Sequence, residues 1–84
     1  MARTVNVLAF AGARDIVGAS QLSIKLAPDT VTAGHLMDQL CERFQPLAGY
    51  RHIVRLAVNG HYVEAEALLA DGDEVALIPP VAGG

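Results

Sequence analysis

The chain has 84 residues, a net charge of −3 and one cysteine, Cys41. That length makes one small domain, with a core but no room for a deep substrate cavity. Six basic residues against nine acidic ones offer no basic patch for nucleic acid and suit basic partners better than acidic ones, and a single cysteine excludes an intrachain disulfide scaffold.

Hydrophobic residues make up 52% of the chain and charged residues 18%, a globular composition; with two Phe, two Tyr and no Trp, the core falls to Val, Leu, Ile and Ala. No run reaches the roughly 18 apolar residues of a membrane span, and MARTVNVLAF lacks the apolar stretch of a signal peptide, so the expected location is the cytoplasm.

TVNVLAFA, Thr4 to Ala11, is β-branched and aromatic and predicts a buried strand. GARDIVGAS then predicts a turn with one helical turn at Ala13 to Val17, ended by Gly18. In QLSIKLAPD, Leu22, Ile24 and Leu26 alternate with Ser23 and Lys25, which predicts a half-buried strand forming a hairpin with the first. TAGHLMDQLCERF is the clearest helix. Thr32 is its N-cap, Val31 and Leu36 have the spacing of a hydrophobic staple, and Ala33, Leu36, Met37, Leu40, Cys41 and Phe44 mark one apolar face. Pro46 stops it, and Gly34 in its first turn costs up to about 1 kcal/mol relative to Ala.

IVRLAVNGHYV predicts a third strand with Val54, Leu56 and Val58 alternating, then a type I′ turn at Asn59-Gly60 into a short fourth strand. EAEALLADGD is a connector with one helical turn near Ala67 to Leu69, Asp71-Gly72 is a turn, and DEVALIPP is the last strand. The order β-β-α-β-β-β suggests an α+β, ubiquitin-like β-grasp fold: a mixed sheet of about five strands packed on one main helix, with the first and last strands parallel and adjacent at its centre. Residues 1–78 form the domain and residues 79–84 an extended C-terminal Gly-Gly tail.

Nothing in the chain suggests an autonomous active site. His35, His52 and His61 have no metal-ligand spacing and read as surface histidines. Asp71, Asp73 and Glu74 resemble part of a calcium loop without its remaining ligands, and read as a turn with solvated carboxylates. Cys41 lies on or beside the apolar stripe of the helix and reads as a small core hydrophobe. Gly12, Gly18 and Gly34 are too scattered to cradle phosphate.

The ending ALIPPVAGG is different. Pro79 and Pro80 fix φ and favour a stiff, extended exit from the last strand. From Pro79 to Gly84 the chain reaches about 20 Å, at roughly 3.3 Å per residue. Gly83 and Gly84 have no side chains and fit a channel too narrow for other residues. The only functional group at the tip is the α-carboxylate of Gly84, which is ionised at pH 7 and must be activated, for example as an acyl-adenylate, before it reacts.

On these residues the chain resembles a known family. DGDEVALIPPVAGG is similar to the C-terminal signature of the small, sulfur-carrier subunits of molybdopterin synthase, and VLAFAGARDIVG, TAGHLMDQL and LAVNGHYV extend the resemblance over nearly the whole domain. The resemblance implies a cycle. A ubiquitin-activating-type enzyme adenylates Gly84 with ATP. Sulfur from a persulfide donor converts it to a thiocarboxylate. The tail, through Pro79, Pro80, Val81, Ala82 and Gly83, enters the large catalytic subunit and donates sulfur to cyclic pyranopterin monophosphate, building the molybdopterin dithiolene. The chain itself then binds no cofactor or metal and supplies no acid–base groups.

Alternation places Val75 and Leu77 toward the helix and Ala76 and Ile78 outward, and the family's interface positions correspond here to Phe10, Tyr62 and Ile78. Leu77-Ile78 departs from the aromatic residues often found before Pro-Pro in the family. The alternatives are a carrier for thiamine or cysteine synthesis or tRNA thiolation, a ubiquitin-like modifier joined to lysines through Gly84, and a plain interaction module.

Overall fold

In the computed structural model, which describes residues 2–79, β1 (Thr4–Ala9) alternates half-buried and buried residues, with Val5, Val7 and Ala9 turned inward. β2 (Gln21–Lys25) pairs with it antiparallel and contributes Ile24. β3 (Arg55–Val58) and β4 (His61–Val63) form a second hairpin across Asn59 (φ 51°) and Gly60 (φ 87°), the positive φ pair of a type I′ turn. β5 (Glu74–Ile78) enters between the two hairpins, parallel to β1 and antiparallel to β3, so the described residues form a sheet of order β2-β1-β5-β3-β4. This is the mixed β-grasp sheet, with the first and last strands adjacent and parallel as expected from the element order.

α2 (Ala33–Arg43) lies over one face of the sheet. Leu36, Met37 and Leu40 pack there with Val5, Val7, Ile24, Val75 and Leu77 in one core cluster. The Thr32 hydroxyl accepts the His35 amide at 3.1 Å, and the His35 ring accepts the Val31 amide at 3.2 Å, so the helix start is capped from both sides. Gln39, on the polar side of the helix, clips it to the end of β2. Its oxygen accepts the Ala27 amide and the buried Thr30 hydroxyl, and its nitrogen donates to the Lys25 carbonyl at 2.8 Å.

Four local readings change. The first strand stops at Ala9, because Phe10 becomes the N-cap of α1 (Ala11–Val17) and Ala11, at φ 49°, turns the chain; α1 is thus longer than one turn and ends at Gly18, as expected. Pro46 does end α2, but it also opens a 3-10 helix, Gln45–Tyr50, that buries Leu47 completely. In β3 Leu56 and Val58 are only half-buried, while Ala57 between them is buried on the opposite face.

The segment Ala67 to Leu69 is extended rather than helical. The Ala33 amide donates to the Ala67 carbonyl and the Gly34 amide to the Ala65 carbonyl, while the Leu69 amide donates to Val31, all at 2.9 Å. These bonds satisfy two of the otherwise orphaned amides at the start of α2. They also explain Gly34: a Cβ there would lie 3.1 Å from the Ala65 Cβ and 3.2 Å from its carbonyl oxygen. No helix among the described residues is long and apolar enough to cross a membrane.

Candidate functional site

The start of β5 is fixed by the Asp71-Gly72-Asp73 turn. Asp71 accepts the Thr4 amide at 2.7 Å, the Gly72 amide donates to the Thr4 carbonyl, and the Asn6 amide donates to the Asp73 carbonyl. The Asp73 carboxylate accepts the Ala70 amide at 2.8 Å and the Asn59 side-chain amide at 3.0 Å, while the Asn59 oxygen accepts the Glu74 amide. The aspartates that the sequence presents as solvated carboxylates are therefore occupied as acceptors, tying the root of β5 to β1 and to the β3–β4 turn. Asp73→Ala removes the charged acceptor of two exposed hydrogen bonds and is expected to cost about 1–2 kcal/mol, with Asp73→Asn, which keeps an acceptor oxygen, losing less. Chemical denaturation of the three proteins checks this order.

From that root β5 runs through the centre of the sheet and delivers Ile78 and Pro79 at the opposite end. Its alternation matches expectation: Val75 and Leu77 are fully buried against α2, and Ala76 and Ile78 lie on the other face. On that face the register aligns Leu8, Ala76, Ala57 and Tyr62 in one row across four strands. The next row pairs Ile78 with Arg55, and Phe10 continues β1 beside it, since Ala9 is the partner of Leu77.

Phe10 and Tyr62 are 49% and 59% exposed, too much for core residues. The structure thus brings the three expected interface residues, Phe10, Tyr62 and Ile78, onto one face at the end of the sheet where the tail begins. Arg55 was not anticipated. Its guanidinium lies 4.5 Å from the Tyr62 ring centroid, a cation–π contact on the same face. The signal was present in the alternation, since Arg55 stands two residues from Ala57 on one strand face. Of the tail residues, Pro79 is half-buried at the sheet rim. Pro80, Val81, Ala82, Gly83 and Gly84 lie outside the described residues.

The remaining chemical groups stand apart from this end. Burial pushes the Cys41 thiol up from its ordinary value, with Arg51 pulling it down and Asp38 pushing it up, and the thiol packs half-buried against the core. A thiol held protonated at neutral pH is a poor nucleophile. His35, His52 and His61 are exposed, and among the described residues no three His, Cys, Asp or Glu side chains come together.

Known proteins resemble this chain in sequence and fold. The ThiS family model matches residues 7–84. A molybdopterin synthase sulfur carrier subunit from Aedes aegypti is 44% identical over 88 residues, covering 95% of this chain and 88% of that relative. Among solved structures, subunit 1 of a molybdopterin converting factor from Pyrococcus furiosus superposes with a TM-score of 0.83 at 31% identity, covering 94% of this chain and 99% of the other. Small archaeal modifier protein 1 of H. volcanii reaches 0.80 at 25% identity, covering 94% and 99%. Subunits 1 and 2 of molybdopterin-converting factor from Helicobacter pylori have been solved as a complex; the matching chain there reaches 0.68 at 24% identity, covering 96% and 99%, which reports the shared fold. The chain belongs to the ThiS family and, within it, to the molybdopterin synthase sulfur carrier subunits.

Proposed function

We propose that Gly84 is the working group of this carrier. A ubiquitin-activating-type enzyme adenylates its carboxylate with ATP, sulfur from a persulfide donor replaces AMP, and the resulting thiocarboxylate donates sulfur to cyclic pyranopterin monophosphate in the large catalytic subunit, forming the molybdopterin dithiolene. Pro79 and Pro80 aim the tail, Val81, Ala82 and Gly83 thread it into that subunit, and Phe10, Tyr62 and Ile78 meet the subunit's surface. The chain itself holds no cofactor and works in the cytoplasm.

One observation carries this reading: the family match runs through the last residue, over the Gly-Gly end, in a chain whose central strand finishes at Ile78 on the rim of the sheet. The open face beside the strand's exit supports the interface, because exposed aromatic side chains next to an unpartnered apolar row suit a protein surface.

Intact mass of the chain co-expressed with its activating enzyme is expected to rise by about 16 Da as one carboxylate oxygen becomes sulfur. An unchanged mass in a competent system overturns the reading. The fold is shared with an archaeal modifier protein, so a ladder of lysine conjugates in the same experiment would favour a modifier instead. Capture of a large subunit from thiamine, cysteine or tRNA-thiolation chemistry would reassign the pathway.

A further inference from the structure

The sheet face is not the only apolar surface at the tail's root. On the other side of Pro79, between the start of α1 and the 3-10 helix, lies a groove of about 220 Å³ whose walls include Ala11, Leu47, Tyr50, Ile53 and Pro79. Tyr50 and Ile53 are each 49% exposed, the same as Phe10, and no packing within the described residues requires that exposure. The turn that sets them there is backbone-bonded, with the amides of Ile53 and Val54 both donating to the Tyr50 carbonyl.

Chain length decides what stands over this groove. Only five residues, Pro80 to Gly84, separate its rim from the carboxylate, a reach of about 17 Å. A protein that acts on that carboxylate in a recessed site must bring the surface around its mouth close to the Pro79 rim. A standard stable interface covers about 800 Å² on each partner, which a patch centred on three side chains does not supply.

Charge adds a direction. The chain is net acidic, but Asp71, Asp73 and Glu74 sit at the far end of β5 and the two aspartates are engaged there as acceptors. At the tail end, Arg55 stacks on Tyr62 opposite Ile78 and, among the described residues, forms no ion pair.

We propose that the Tyr50–Ile53 groove is a second anchor, taking one apolar side chain of the large catalytic subunit while a carboxylate of that subunit meets Arg55. The inference rests on the carrier reading above. It reverses, at this end of the molecule, the preference for basic partners that net charge alone suggests.

The test is a titration of the full-length chain with the large subunit of molybdopterin synthase from the same organism. Ile53→Asp and Tyr50→Ser are each expected to raise Kd at least about tenfold, as central interface residues do. Leu68→Ser, at an exposed hydrophobe away from the groove, leaves Kd unchanged. Arg55→Gln is expected to weaken binding at low salt and to flatten its salt dependence. Thermal melts establish that each variant is folded, and Ile53→Ser replaces Ile53→Asp if the latter is not.

If Phe10→Ala weakens binding while both groove variants bind like wild type, the second anchor is wrong and the carrier reading stands. If the wild-type chain does not bind the large subunit, both fall. A wild-type dimer in sedimentation that Ile53→Asp dissociates would assign the groove to a second copy and overturn the proposal.

Discussion

Deleting Gly84 is expected to abolish sulfur transfer and leave the melting temperature unchanged. Among the described residues, every member of the core cluster precedes it in the chain, the last being Leu77. The stability of the domain therefore rests on packing that the truncation does not touch. The chemistry is affected far more. The truncated chain still ends in a glycine carboxylate, on Gly83, but that carboxylate is set back by roughly 3.3 Å. A reacting group misplaced by about 1 Å already costs on the order of 100-fold, so the loss is expected to exceed that at both the adenylation and the transfer steps. Gly84→Ala, which keeps the length but adds a methyl group at the narrow tip, is expected to fail as well. The measurements are thiocarboxylate yield by intact mass, dithiolene formation with the reconstituted large subunit, and a thermal melt. Full activity in the truncated chain would refute a mechanism carried by the terminal carboxylate.

The parts of the molecule legible in the sequence were those where one physical signal dominates. Ile24 and Leu26 alternate cleanly with Ser23 and Lys25, so β2 and its inward face were readable. Thr32 before an apolar 3.6-residue stripe marked the start of α2, and Asn59-Gly60 marked the β3–β4 turn through the positive φ both residues adopt. The shared face of Phe10, Tyr62 and Ile78 followed from alternation together with the family resemblance. What was not readable depended on contacts distant in sequence. Leu47 is a lone apolar residue after a proline, and only the packing of the 3-10 helix on the core shows why it is buried. The segment around Ala67 has helix-forming composition, but the orphaned amides of α2 hold it extended. Gly34 looked like a defect until Ala65 was found against it. The amide of Asn6 and the side chain of Asn59 both meet Asp73 from distant parts of the chain, and the shared groove of Tyr50, Ile53 and Pro79 joins positions that no local pattern connects.

Leu77 and Ile78 are adjacent in sequence and are expected to fail in opposite ways. Leu77 is completely buried in the central strand, with Ala9 of β1 and Leu56 of β3 as register partners on either side. Leu77→Ala replaces a buried isobutyl group with a methyl and leaves a cavity, which costs about 2–5 kcal/mol. A domain of this size has only about 5–15 kcal/mol in total, and each kcal/mol moves the midpoint by about 4–8 °C. The melting temperature is therefore expected to fall by at least about 8 °C. Below the new midpoint the tail and its outward neighbours are unaltered, so sulfur transfer by Leu77→Ala is expected to be near normal in the cold and to vanish on warming along the unfolding curve. Ile78, half-buried on the opposite face beside Arg55, behaves inversely. Ile78→Ala is expected to keep most of the stability but raise Kd for the large subunit at every temperature, because the side chain removed faces the partner and not α2. Melts and activity measured across temperature separate the two. If Leu77→Ala lost activity in the cold while still folded, the strand would be serving the partner directly. If Ile78→Ala melted as low as Leu77→Ala, the outer face would be part of the core and not an interface.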